Sequence, residues 1–269
     1  MDLKMNGHVA VIAGGSTGIG FATAVCFLQE GCHVALFSRS ERKLDEAKKA
    51  LAEMGYTDVL IRSVDITDRD AVERFASDVF SRWGRLDYWI NVVGGSIPKA
   101  LNQVTDAEFD RAVAMNFKSA FYGCNTAAKY MKPQGCGAIV NVASMASWRP
   151  AAGRTLYGCN KAALIQLTKA FAAELSPFNI RVNSISPGLV MSEMSRPFVP
   201  KEGTEEFRKF FREYLIKRPG EAREIGEPIV LLCSRAFGFT TATDIRADGG
   251  VDAVYEMQWL DENIELLRQ

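Results

Sequence analysis

The chain has 269 residues, of which 48% are hydrophobic and 24% charged, the balance of a globular protein with a sizeable core. Its 32 basic and 32 acidic residues leave a formal net charge of zero, so nothing in the charge favours nucleic acid or an anionic membrane as partner. Six scattered cysteines without a Cys-x-x-Cys pair, joined only by His8 and His33, give no support for a metal site and suit reduced thiols in a cytoplasmic protein.

The first apolar run, residues 9–13, reads as a buried strand. It is too short for the core of a signal peptide, and no later run is long enough to span a bilayer. Directly after it come Gly14, Gly15, Ser16, Thr17, Gly18, Ile19 and Gly20, which open a helical pattern at 19–30. Glycines in that place allow a tight turn, and the helix amino terminus offers free N–H groups to an anion. A second strand at 33–37 leads to Ser38, Arg39 and Ser40. Dinucleotides without a ribose phosphate are held by an Asp or Glu about 20 residues beyond the turn, and no carboxylate stands here. An acid would repel a 2′-phosphate, whereas the Arg39 guanidinium can pair with one through two hydrogen bonds. Ser38 and Ser40 add hydroxyl donors, and NADP(H) is expected over NAD(H).

Further strands are expected at 59–63, 88–92, 138–142, 181–185 and 243–247, alternating with helices at 41–54, 69–83, 106–132, 156–175 and 222–233. Strand–helix alternation with apolar strands implies an α/β fold: a doubly wound, Rossmann-type parallel sheet with helices on both faces. No composition shift marks a linker, so residues 1–269 read as a single domain. Two segments break the alternation. Residues 189–220 carry Phe207, Phe210, Phe211 and Tyr214 and read as a substrate lid. The extension 253–269 has Leu260, Ile264 and Leu267 at helical spacing, as in a helix packed on the body or against a neighbouring subunit.

Tyr157 and Lys161 stand four apart in the helical pattern, and Ser144 stands thirteen residues before the tyrosine. Residues at that spacing share a helix face, so phenol and ammonium point the same way. A free phenol titrates near 10, too high for a base at neutrality, and a nearby cation favours its ionised form. Lys161 is therefore expected to lower the pKa of Tyr157. Chemistry that moves a proton to or from an alcohol oxygen needs such a group, with a hydroxyl beside it to hold that oxygen.

With these motifs assembled, the sequence from about residue 8 to 251 resembles the short-chain dehydrogenase/reductase family. Gly14, Gly18 and Gly20 resemble its phosphate-binding turn, and Asp65, followed by Ile66, stands where its adenine-contacting aspartate does. Asn91, Val92, Val93 and Gly94 occupy its Asn-Asn-Ala-Gly strand. Asn116, Ser144, Tyr157 and Lys161 fall in the order of its catalytic tetrad. Pro187 and Gly188, with Val190 and Ser192 beyond, resemble the segment that contacts the nicotinamide amide; Asp248, Gly249 and Gly250 resemble its carboxyl-terminal signature. The chain departs from the family at Ala13 (usually threonine), at Val92 and Val93, and at Ala242 (glycine in many members).

The resemblance implies hydride transfer between nicotinamide and a carbonyl or alcohol carbon, with Tyr157 as acid or base and Ser144 holding the oxygen. It further implies that Lys161 binds the nicotinamide ribose and that Asn116 anchors a water relaying protons to it. A homotetramer built through helices near 116–131 and 157–175 is also implied. Met145 to Arg154 and the lid are expected to line the substrate pocket together with Ser96. Trp148, Leu156, Leu189, Met194 and Phe198 supply an apolar wall, and Arg149 or Arg154 can pair with a carboxylate. A bulky hydrophobic ketone, steroid-like or aromatic, is the expected substrate. A 3-oxoacyl-thioester reductase is the alternative, and a non-catalytic dinucleotide-sensing protein is the rival from another class.

Overall fold

The structure, a computed structural model, describes residues 2–96, 98–193 and 195–253. Met194 and residues 254–269, which carry nearly all of the expected tail extension, lie outside the described residues.

Strand β1 (Val9–Ala13) is apolar throughout and buried throughout, because helices cover both faces of the sheet around it. It pairs in parallel with β2 (His33–Ser38) on one side and β4 (Tyr88–Asn91) on the other. Beyond β2 lies β3 (Val59–Ser63); beyond β4 come β5 (Gly137–Val142), β6 (Ile180–Pro187) and β7 (Asp244–Ala247). The described residues thus build a seven-stranded parallel sheet in the order β3-β2-β1-β4-β5-β6-β7. The chain reverses its direction of travel between β1 and β4. At such a reversal the connections leave to opposite faces and open a crevice at the carboxyl ends of the strands.

Alternate side chains of β1 feed two separate cores. Ala10 and Ile12 pack with Phe27, Leu36, Ile90 and Ile229, where α1 (Gly18–Gln29) and α8 (Arg223–Cys233) cover one face. Val9, Val11 and Ala13 pack with Phe37, Phe75, Trp89 and Met131 under α3 (Arg69–Trp83), α5 (Ser119–Gln134) and α6 (Thr155–Leu175). Helix α2 (Glu41–Glu53) starts where the Ser40 hydroxyl accepts from Lys43 N, and α3 starts where Asp68 accepts from Ala71 N.

The single helix expected over 106–132 is interrupted. Helix α4 (Asp106–Val113) runs into a π turn, Ala114–Lys118, before α5 begins. The reason lies at Asn116, whose side-chain amide donates to the Ala112 carbonyl at 3.0 Å. That is the acceptor its own backbone N–H would use in an unbroken α-helix, so the turn widens.

Residues 189–220 hold the short helix α7 (Glu205–Phe210) and a small core of their own. Phe207, Phe211 and Tyr214 pack there with Val251, and Met145 and Leu189 join them. Leu215 N and Ile216 N both donate to Gly249 O, which ties the segment to the chain after β7.

Candidate active site

Residues 14–20, 38–40, 65, 91–94, 144, 187–188 and 248–250 all stand at or just beyond the carboxyl ends of strands, so the topology gathers them on one rim of the sheet. At the end of β1, Gly14 (φ 92°) and Gly18 (φ 54°) adopt backbone conformations in which a side chain would be strained. A Cβ at Gly20 would lie 2.1 Å from the Gly14 carbonyl oxygen, so only glycine lets α1 start this close to the strand. At Gly18, by contrast, a Cβ would meet nothing nearer than Ser192 Cβ at 3.9 Å, which leaves that face of the turn open. Thr17 caps α1 without a side-chain hydrogen bond and is exposed, with half-buried Ser16 beside it. At the end of β2, the Ser38 hydroxyl is buried without a partner, and Arg39 is exposed without an ion-pair partner among the described residues. An open glycine turn at a helix amino terminus, with an orphaned hydroxyl and a free guanidinium at the neighbouring strand end, fits a dinucleotide.

Other cofactor candidates have duties within the protein. The Ser40 hydroxyl is used in capping α2. Asp65 accepts from Thr67 N and Oγ1 at 2.9 and 2.8 Å, while buried Ile66 joins the core. The side chain of Asn91 is turned inward. Its carbonyl oxygen accepts from Trp89 Nε1 and its amide donates to Asn141 Oδ1, both at 2.8 Å, and Asn141 continues to Thr168. Only the backbone at Asn91 and Val92 remains to face the crevice; Val92 N is itself bonded to Ala13 O. Ser192 spends its hydroxyl in a turn with Ser195, while Val190 bridges to Gly220. Gly188, after Pro187, packs so tightly that a Cβ would sit 2.7 Å from Asp248 O.

The four polar residues expected to act together do converge. Ser144 ends the extended chain after β5; its hydroxyl accepts from Ala146 N at 3.1 Å and lies near enough to the Tyr157 phenol to favour its ionised form. Tyr157 and Lys161 rise from the first turns of α6, with Lys161 Nζ 5.9 Å from the centroid of the Tyr157 ring. Lys161 is 2% exposed and donates to Val142 O at 2.7 Å. Asn116, also buried, accepts from Gly95 N at 2.9 Å and donates to Gly95 O at 3.0 Å. A methyl group added at Gly94 would lie 2.8 Å from Lys161 Nζ and 3.0 Å from Asn116 Oδ1, so this glycine keeps room for both.

The electrostatics correct one expectation. Burial raises the Tyr157 phenol above its ordinary value, opposed by the Ser144 hydrogen bond and the charge of Arg154; the lysine does not reverse this. Burial also pulls Lys161 down to about 8.

The expected apolar wall is largely dispersed. Trp148 is 43% exposed and lies along the sheet edge, donating to Asp244 Oδ2 at 3.1 Å under the Arg246 guanidinium. Met145 and Leu189 serve the lid core, and Phe198 is 67% exposed. Arg149 pairs with Glu213 rather than waiting for a carboxylate, while Arg154 stays exposed at the start of α6. The cleft at Tyr157 is instead lined by Gly95, Lys99, Val104, Glu108 and Leu156, with the unpartnered hydroxyl of Ser96 in the next residue of the loop. Lys99 and Glu108 escaped the sequence reading. The only local signal was the Thr105-x-x-Glu108 capping box, which marks a helix start and not a pocket.

A model of the family described as Enoyl-(Acyl carrier protein) reductase matches residues 13–252. Levodione reductase of Leifsonia aquatica is 32% identical over 94% of this chain and 97% of its own, and a crystal structure of a levodione reductase, also 32% identical, superposes with a TM-score of 0.86 over 93% and 99% of the two chains. The 3-oxoacyl-(acyl-carrier-protein) reductase FabG of Thermotoga maritima is 31% identical over 93% of this chain and 99% of its own. A 7α-hydroxysteroid dehydrogenase, solved with NADH and 7-oxo glycochenodeoxycholic acid, is 28% identical with a TM-score of 0.85 over 93% and 96%.

Proposed function

Because the chain belongs to the short-chain dehydrogenase/reductase family and so uses a nicotinamide dinucleotide, we propose that it interconverts a ketone and a secondary alcohol with NADP(H). The observation that carries this reading is the placement of Ser144 and Tyr157 beside the buried Lys161 ammonium, on the rim that also holds the open glycine turn.

The bound nicotinamide supplies or accepts the hydride. In the reducing direction, the Tyr157 hydroxyl donates its proton to the carbonyl oxygen. Burial holds that phenol protonated through neutral pH, the state a donor needs. The Ser144 hydroxyl donates to the same oxygen and steadies the charge that develops there. Lys161 would hold the ribose hydroxyls of the bound cofactor and return a proton to Tyr157; Asn116 sets the loop at Gly95 and would anchor a water leading to Lys161 Nζ. The preference for NADP(H) rests on Arg39 and Ser38, which present a guanidinium and an unpartnered hydroxyl where an acid would serve NAD(H).

The substrate is a bulky cyclic ketone, in keeping with the oxo-steroid held by the 28% identical dehydrogenase. A 3-oxoacyl-thioester reductase is the second reading, favoured by the 31% identical FabG. The assembly is a homotetramer, which light scattering after gel filtration checks, and the setting is a reducing cytoplasm. All six cysteines are free.

Replacing Tyr157 by Phe tests the mechanism, since it removes one oxygen and keeps the ring. Turnover of a cyclic ketone, followed by loss of the NADPH absorbance, should fall about a thousandfold. NADPH affinity should change little. Undiminished turnover in that variant would rule the mechanism out.

A further inference from the structure

Resting on the ketone-reductase reading above, we propose that the Lys99–Glu108 pair beside Tyr157 is a substrate-specificity element and selects ketones that carry a hydroxyl group remote from the carbonyl. The pair lines the same cleft as Tyr157, together with Gly95, Val104 and Leu156. Lys99 Nζ lies 2.8 and 2.7 Å from the two Glu108 oxygens. The two side chains are 30% and 31% exposed and form part of the cleft wall.

Both partners are held in place before any substrate arrives. Glu108 is fixed by its capping box with Thr105, and its carboxylate also accepts from the Thr105 hydroxyl at 3.0 Å. Lys99 is tied through its backbone N–H to Gly153 O at 2.9 Å. A fixed charged pair judges what is placed against it. An apolar group would strip water from two charges and give nothing back. A carboxylate would face Glu108, and an ammonium would face Lys99. A hydroxyl can donate to the carboxylate and accept from the ammonium at once, so it replaces the displaced water on both sides.

Two neighbouring features point the same way. Trp148, Met145 and Leu189, the large apolar groups that would have suited a wholly hydrophobic ligand, are engaged elsewhere. The loop that carries Gly95 into the cleft holds a further buried hydroxyl without a partner, Ser96.

The test compares cyclohexanone with hydroxycyclohexanones bearing the hydroxyl at each ring position, using NADPH and the full-length enzyme. At least one hydroxy ketone should be preferred about tenfold or more in kcat/KM, the effect of one hydrogen bond to a charged group, and the gain should appear in KM. In the double variant Lys99→Met with Glu108→Gln, which is neutral and keeps the glutamine form of the capping box, that preference should vanish. Lys99→Arg should retain it. Turnover of all the ketones without preference in the wild type, or a preference that survives the double variant, would overturn this inference alone. Failure to consume NADPH with all of these and with an oxo-steroid would overturn the underlying reading, and this inference with it. Circular dichroism on each variant separates lost selectivity from lost fold.

Discussion

Lys161 keeps an ammonium group where solvent barely reaches it, and burial alone pulls its pKa from 10.5 to about 8. Such a shift is a statement about stability. Below about 8 the lysine is charged in both folded and unfolded chains, and the folded state bears the full burial penalty of about 3 kcal/mol. Between about 8 and 10.5 the unfolded chain binds more protons, so stability rises with pH across that window. Above it the penalty is gone. Lys161→Met should therefore abolish turnover yet unfold at a higher temperature than the wild type near neutrality. The expected gain is about 1–3 kcal/mol once the lost bond to Val142 O is counted. The gain should shrink at about pH 10, by the same linkage. A thermal melt of the variant that is lower at neutral pH would defeat this account. The placement of Tyr157 and Lys161 on one helix face was legible in the sequence, because spacing alone decides it. The direction of the Tyr157 shift was not, because it depends on what covers the phenol.

Single elements show the same division between local pattern and tertiary setting. The central strands β1, β2 and β5 were readable because each is mostly apolar, but the break in the helix at Asn116 was not. The Asn116 amide that takes the Ala112 carbonyl is also held by Gly95, on a loop twenty-one residues earlier in the chain. Ala242 gives a case where the sequence did announce a departure, since the resemblance placed glycine there. Its φ is 59°, a left-handed conformation, and its N–H is committed to Val182 O at 2.8 Å, so the backbone cannot relax without losing a bond. An L-residue in that conformation costs roughly 1–2 kcal/mol, against which glycine loses some unfolded-state advantage and a half-buried methyl. Ala242→Gly should stabilise the protein by about 0.5–1 kcal/mol by these opposing terms, read as a higher midpoint in chemical denaturation. A lower midpoint with an unchanged slope would show that methyl packing in the last loop outweighs the strain.

At the scale of the whole molecule, the order β3-β2-β1-β4-β5-β6-β7 converts segments far apart in sequence into one rim. That gathering was legible in outline because strand–helix alternation forces right-handed crossovers. The Lys99–Glu108 wall and the inward turn of Asn91 were not legible, because each depends on how loops and helices meet above the sheet. The rim also means that a dinucleotide would bridge the ends of strands on both sides of the reversal between β1 and β4. Its binding free energy would then add to the stability of the whole sheet instead of one loop. At a concentration about a hundred times its Kd, a ligand adds about 2.7 kcal/mol. For a chain of this size that corresponds to a rise of about 5–10 °C in Tm. NADPH should therefore shift the wild-type Tm more than the same concentration of NADH, because only the former offers a phosphate to Arg39. Arg39→Asp should reverse the order, since a carboxylate repels that phosphate and accepts from ribose hydroxyls. The measurement needs no substrate, so it judges cofactor choice apart from the reaction. An equal or larger shift with NADH in the wild type would show that the guanidinium at the end of β2 does not select the phosphate.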